Sequence, residues 1–147
     1  MPDSWLDRLP SQERQRIRER LRSPAEYEKL REKVKGPEDL EREMERSALL
    51  AELRFAMESE PKLAEALRAQ VQEDVQQHGL DSVLQTLRLS EDLKGALEKG
   101  DFTLSVQPDA LTHVDQLVLV PEGKIAEALP VSQKFSEQYL GQFKKAA

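Results

Sequence analysis

The chain of 147 residues contains no cysteine. This absence excludes disulfide bonds, thiolate metal ligands and cysteine nucleophiles, and it fits a reducing compartment. No apolar run approaches the roughly 20 residues that a bilayer-spanning helix needs, and the N-terminal sequence lacks the basic and apolar regions of a signal peptide. We therefore expect a cytoplasmic protein without a membrane span.

Side chains suited to catalysis are also scarce. His78 and His113 are the only histidines, and the six glycines are scattered, so that no phosphate-binding glycine loop is formed. The one acid–base or metal constellation is Asp109, His113 and Asp115, in a segment whose Asp and Thr residues are typical of turns. We predict that the protein is not an enzyme and has no metal or cofactor. A small metal-dependent or acid–base enzyme built on these three residues is the least favoured alternative.

Charge, in contrast, is abundant. Charged residues make up 34% of the chain and the net charge is −6, whereas a typical soluble domain has about 25% charged residues. The charge is unevenly placed. Residues 8–22 contain six arginines and two glutamates, which gives +4, and residues 38–46 contain five acidic residues and two arginines, which gives −3. A basic segment is therefore followed by an acidic one.

Apolar residues recur every three or four positions over residues 38–99, which predicts a series of helices. Phe55 is predicted to widen the apolar stripe of the longest helix, and Gly79 to end the next helix as a left-handed cap. The predicted helices cover residues 11–22, 24–35, 38–59, 61–78, 81–88 and 90–99. We divide the chain into a charged helical arm, residues 1–36, and a compact α+β domain, residues 37–147.

After Gly100 the helical period gives way to strands. Residues 102–106 alternate apolar and polar side chains, as in a half-buried strand, and residues 116–120 are apolar on both faces, as in a central strand. Pro130 places a third strand at the sheet edge, although its first six residues also suit a short helix. The fold class is therefore α+β, with a helical first two-thirds. The predicted antiparallel three-stranded meander covers residues 101–131, its third strand residues 124–131, and the C-terminal helix, with its aromatic stripe Phe135, Tyr139 and Phe143, residues 132–143.

The candidate binding site is the arginine-rich helix and the apolar residues ahead of it. Three arginines spaced four apart form a ridge beside Ile17 and Leu21, while Arg16 and Arg20 lie on the far side. Guanidinium groups at this spacing suit either an acidic protein groove or successive phosphates. An apolar knot ahead of a basic amphipathic helix is typical of docking segments. The predicted partner-binding residues are Trp5, Leu6, Leu9, Arg14, Arg18 and Arg22.

These features predict a non-enzymatic protein–protein interaction or regulatory module that docks a protein partner through the arginine-rich region. The alternative is a nucleic-acid-associated protein that uses the same basic helix. A third explanation is pairing of this helix with the acidic stretch Glu38–Glu45. The sequence leaves open whether such pairing would be within one chain or between two copies in a homo-oligomer.

Overall fold

The structure, a computed structural model, describes residues 4–21, 24–85, 88–109, 114–123 and 127–146. It has the predicted α+β fold: helices come first, then a three-stranded antiparallel sheet in the order β1-β2-β3, then a C-terminal helix. The elements are a 3₁₀ helix (Trp5–Arg8), α1 (Ser11–Arg20), α2 (Pro24–Lys33), α3 (Pro37–Ser59), α4 (Pro61–His78), α5 (Leu80–Val83), α6 (Glu91–Lys99), β1 (Phe102–Pro108), β2 (Asp115–Pro121), β3 (Leu129–Pro130) and α7 (Gln133–Ala146).

The chain forms two compact units. Unit 1 takes its residues from Met1–Leu49 and Pro108–Asp115, and unit 2 from Leu50–Gln107 and Gln116–Ala147. Helix α3 thus contributes its first half to unit 1 and its second half to unit 2. The predicted division at residue 36 is a division into parts that fold independently. A division into compact units does not test independent folding, so the division at residue 36 stays a prediction.

Unit 1 has a small apolar core. Helix α1 buries only Ile17, and a helix of its ten residues is marginal in water without tertiary packing. The buried cluster of unit 1 is Leu6, Ile17, Tyr27, Leu30 and Val34, and the partly buried residues packed against it are Trp5, Leu9, Leu21, Leu40 and Met44. Packing on this cluster therefore stabilises α1.

Hydrogen bonds join the 3₁₀ helix to α2. The Ser4 side chain caps the 3₁₀ helix and donates to the carbonyl oxygen of Arg31 at 2.9 Å. The Arg31 guanidinium donates twice to the Asp7 carboxylate, at 2.8 and 3.2 Å. These hydrogen bonds, assisted by the charge of Arg31, lower the pKa of the Asp7 carboxyl. The N-terminal residues of unit 1 are thus held by polar contacts as well as by the core.

Unit 2 has the larger core. The apolar periodicities that predicted its helices and strands agree with the residues that are buried. Helix α4 buries Leu67, Val71 and Val75, which recur every four residues. Strand β1 alternates buried and exposed side chains, and β2, at the centre of the sheet, buries three residues in succession. Helix α7 buries Phe135 and Tyr139, so these two members of its aromatic stripe belong to the core, whereas Phe143 is half-buried.

Side-chain hydrogen bonds join elements of unit 2 at two points. The Tyr139 hydroxyl donates to the Asp74 carboxylate at 2.7 Å, inside the core. Burial of the Tyr139 hydroxyl raises its pKa, and the hydrogen bond to the negatively charged Asp74 carboxylate raises it further. At the left-handed cap of α6, Arg68 donates to the Gly100 carbonyl oxygen at 2.9 Å and Gln72 donates to that of Lys99 at 3.0 Å. These contacts join α4 to α7 and to the end of α6.

Two predictions about individual side chains and caps are wrong. Phe55 is 72% exposed, because the buried residues of the second half of α3, Leu50, Leu53 and Met57, define one face and Phe55 lies about 200° around the helix from Leu53. Gly79 has a positive φ of 85° but an extended ψ of 156°. It does not form a left-handed cap, because it also serves as the N-cap of α5, which begins at the next residue.

The helix predicted over residues 81–88 and the third strand are both shorter than expected. Helix α5 ends at Val83, since Leu84 leaves the helix to form a bridge with Val131. Strand β3 has two described residues, which pair antiparallel with β2, and residues 124–126 lie outside the described part. The Gln85 amide donates to the Pro130 carbonyl oxygen at 3.0 Å. The chain itself therefore covers the outer side of β3.

Candidate functional site

The apolar residues ahead of α1 are packed on the core of unit 1. Trp5 and Leu9 are partly buried and contact the cluster, whereas Leu6 is fully buried within it. A side chain without exposed surface has none to offer a partner. We therefore keep Trp5 and Leu9 in the candidate surface and assign Leu6 to the core that supports it.

The predicted arginine ridge lies at the border of this core. Because Ile17 points into the cluster, Arg14, three residues before it, is half-buried, and Arg18 lies further round and is exposed. The structure therefore brings Arg14 and Arg18 to the side of α1 that adjoins α2. Arg22, the third member of the ridge, lies outside the described residues.

Arg18 is stacked on an aromatic ring of α2. Its guanidinium carbon lies 4.5 Å from the centroid of the Tyr27 ring, a geometry that attracts a cation to the ring face. Arg14 donates through Nη2 to the Ser11 hydroxyl at 3.1 Å. The Arg14 Nε and the Tyr27 hydroxyl are buried and, among the described residues, have no hydrogen-bond partner. This side of α1 is therefore rich in donors and poor in acceptors.

Arg16 and Arg20, which the sequence analysis set aside as the far side, are both exposed. They lie one turn apart on the flank of α1 away from Arg14 and Arg18, about 100° and 60° around the helix from Ile17. Within the described ranges, neither makes a hydrogen bond or an ion pair. The thin apolar stripe of α1 already carried this signal, because a helix that buries a single residue leaves most of its circumference in solvent.

The acidic stretch of α3 is paired locally. Arg42 lies 3.8 Å from Asp39, and Arg46 lies 3.9 Å from Glu43, both at a spacing of three residues along the helix. No ion pair joins an arginine of α1 to α3 in the part of the chain that the structure describes. Pairing of Arg14 and Arg18 with the acidic stretch of the same chain is therefore not observed there.

The acid–base constellation remains a prediction. His113 lies outside the described residues, and the Asp109 amide donates to the Val114 carbonyl oxygen at 3.0 Å. Over the described ranges, no group of three or more His, Asp and Glu side chains is placed to hold a metal ion.

Comparison with protein-family models, curated proteins and solved structures finds no significant match. None of the helices in the described residues has the length and apolar character needed to cross a membrane. A functional proposal for this chain therefore depends on the exposure, charge and contacts of its own residues.

Proposed function

We propose that the chain is a non-enzymatic protein-binding module, with a regulatory role in the cytoplasm, that docks an acidic protein partner through α1 and the preceding 3₁₀ helix. The observation that carries the proposal is the exposed arginine set of α1. Arg16, Arg18 and Arg20 are exposed and, among the described residues, have no acidic partner. Exposed charges of this kind steer a complementary partner and accelerate its association.

Apolar contact would come from the first residue of the 3₁₀ helix and from the residue that follows this helix. Trp5 and Leu9 keep part of their surface in solvent while the rest packs on the core. An aromatic side chain held in this way is a typical anchor, because little conformational entropy is lost when a partner covers it. The arginines then set orientation, and Trp5 and Leu9 supply apolar area.

A protein partner is favoured over nucleic acid by the charges around the arginines. Glu13 and Glu19 are exposed on α1 itself, and the chain as a whole has a net charge of −6. Both would repel any anionic partner, but a phosphate backbone is negatively charged along its entire length, whereas a protein segment can place neutral or basic residues opposite Glu13 and Glu19. Nucleic-acid association through the same helix is the second candidate, and it predicts that log affinity falls linearly and steeply with log salt concentration.

The proposal is tested by affinity capture from the native cell extract, with and without nuclease. The test variant is Arg16→Glu/Arg20→Glu. The matched control is Arg54→Glu/Lys62→Glu, which makes the same change in net charge at two exposed residues of unit 2. We expect a protein that the wild type and the control retain after nuclease treatment and that the test variant loses.

Each other outcome has a defined meaning. If only nucleic acid is captured and the test variant loses it, the second candidate replaces the first. If both double variants capture the partner as well as the wild type does, the proposed surface is wrong. If both lose it equally, the attraction depends on net charge and not on α1.

A further inference from the structure

Arg14, Arg18 and Tyr27 form a cluster in unit 1 whose geometry is already fixed in the free chain. Arg14 and Arg18 lie one turn apart on α1, and Tyr27, on α2, is 5% exposed. Its ring supports the Arg18 guanidinium at 4.5 Å. A stacked guanidinium keeps its plane while its edge N–H groups remain free to donate, so little order is lost when an anion binds.

The cluster contains donors that have no acceptor. The Arg14 Nε and the Tyr27 hydroxyl are buried without a partner among the described residues, and Arg18 has no side-chain hydrogen bond there. A buried donor without an acceptor is destabilising, and such groups are uncommon in folded proteins. The groups that an incoming ligand can reach are the N–H groups of the exposed Arg18 and of the half-buried Arg14, and their chemical complement is a group that only accepts, such as an ionised oxyanion.

The carboxylate of Asp7, which feels the charge of Arg14, does not fill this role. It accepts two hydrogen bonds from Arg31 and faces that residue. Arg14 hydrogen-bonds through Nη2 to the neutral hydroxyl of Ser11. The positive charges of Arg14 and Arg18 therefore have no hydrogen-bonded anion within the described part of the chain.

We propose that Arg14 and Arg18 bind one oxyanion, with the ring of Tyr27 as a positioning residue, and that this oxyanion is a carboxylate of the acidic partner segment. The site itself stands on the geometry above, and the assignment of its carboxylate to a partner rests on the proposed function. Arg16 and Arg20 would attract the acidic segment, and Arg14 and Arg18 would bind a particular carboxylate within it.

The test is a titration of the full chain with a hexaglutamate peptide and, separately, with inorganic phosphate, at constant ionic strength. The readout is the NMR signals of the arginine Nε–H groups. We expect saturable shifts of the Arg14 and Arg18 signals with hexaglutamate. Arg18→Gln should weaken binding about tenfold, because a charge-assisted bidentate contact is lost, whereas Arg16→Gln, the same change on the far side of α1, should weaken it less than about twofold.

Two further variants separate a fitted site from diffuse attraction. Arg18→Lys keeps the charge and removes the planar fork, so it should also weaken binding, whereas simple charge attraction would leave the affinity unchanged. Tyr27→Phe keeps the ring and should preserve binding. Both arginines exchanged in this test are exposed, so the variants are expected to fold, and circular dichroism will verify that they do.

The outcomes are decisive in either direction. Equal weakening by Arg18→Gln and Arg16→Gln, or binding by neither ligand, would overturn the site. Binding of phosphate without hexaglutamate would overturn the carboxylate assignment. A confirmed site together with capture that is unaffected by Arg16→Glu/Arg20→Glu would leave the anion site standing and refute the proposed function, so the two failures are distinguishable.

Discussion

The two units differ in how they treat their buried polar groups. In unit 2 the Tyr139 hydroxyl is hydrogen-bonded to Asp74, whereas in unit 1 the Tyr27 hydroxyl is buried without a partner. Among the described residues, three of the four buried side-chain polar atoms without a partner lie in unit 1, on Arg14, Tyr27 and Arg46, and the fourth is the Ser136 hydroxyl of unit 2. All three of those in unit 1 can donate a hydrogen bond.

This difference indicates what each unit contributes. A satisfied polar network rigidifies and specifies a core, as the Asp74–Tyr139 pair does in unit 2. Donors that are held in place but not satisfied weaken a fold and favour any ligand that supplies acceptors. We infer that unit 2 is the main source of stability and that unit 1 retains hydrogen-bond donors for contact with a ligand or partner.

The largest effect is expected from truncation in the core of unit 2. Leu97 is 0% exposed, and its replacement by alanine should lower the free energy of unfolding by about 2–5 kcal/mol, through lost burial and the cavity left behind. Ile17→Ala, in the smaller core of unit 1, should cost less. Urea denaturation followed by circular dichroism measures both.

Phe55→Ala is the control for these truncations. Phe55 is 72% exposed, so its removal should change the free energy of unfolding by less than about 0.5 kcal/mol. If Ile17→Ala proved more destabilising than Leu97→Ala, unit 2 would not be the main source of stability.

A smaller but sharper test makes one substitution in both units. Among the described residues, Tyr139→Phe leaves the buried Asp74 carboxylate with only the longer contacts of Gln70, at 3.4 and 3.5 Å. It should cost about 1–3 kcal/mol. Tyr27→Phe removes a hydroxyl that has no partner and should be neutral or stabilising. Urea denaturation of both variants provides the comparison, and equal losses would refute the contrast between the units.

Local signals made part of this fold predictable from the sequence. The four-residue spacing of Leu67, Val71 and Val75 predicted α4, and Ser90 and Gly100 marked the two ends of α6. Each of these signals acts within a few residues of the chain, where propensity and periodicity suffice. The α+β class followed from the same local patterns.

Features that depend on distant partners were not predictable. Leu84 leaves its helix because it bridges Val131, which is remote in the sequence, and the shortening of β3 involves the same segment. A helical pattern over residues 81–88 contains no trace of this pairing. Tertiary contacts overrode the local propensity there.

The candidate site was also predictable only in part from the sequence. The apolar position of Ile17 fixed which side of α1 faces the core, but it did not predict that Arg14 is half-buried while Arg20, at the same angle on the other flank, is exposed. The stacking of Arg18 on Tyr27 was not predictable, because it requires the packing of α1 against α2. The burial of Leu6 was also not predicted, since a short apolar group before a helix does not indicate which of its side chains faces the core.

The smallest expected effect concerns the Asp7–Arg31 pair of unit 1 and its dependence on pH. The hydrogen bonds from Arg31 lower the folded-state pKa of Asp7 below its ordinary value of 3.8. The unfolded chain therefore takes up the proton first as the pH falls, so this contribution to stability is present above about pH 4 and is lost as the pH falls through the folded-state pKa.

Asp7→Asn provides the comparison, since it removes the titrating group and its charge. The difference in urea midpoint between the wild type and this variant should be greatest near neutral pH and should shrink towards about pH 2. The fluorescence of Trp5, the only tryptophan, reports directly on unit 1. A difference close to zero at every pH would mean that Asp7 acts as the acceptor for the Ser4 amide and not through its charge, because an asparagine side chain retains that acceptor.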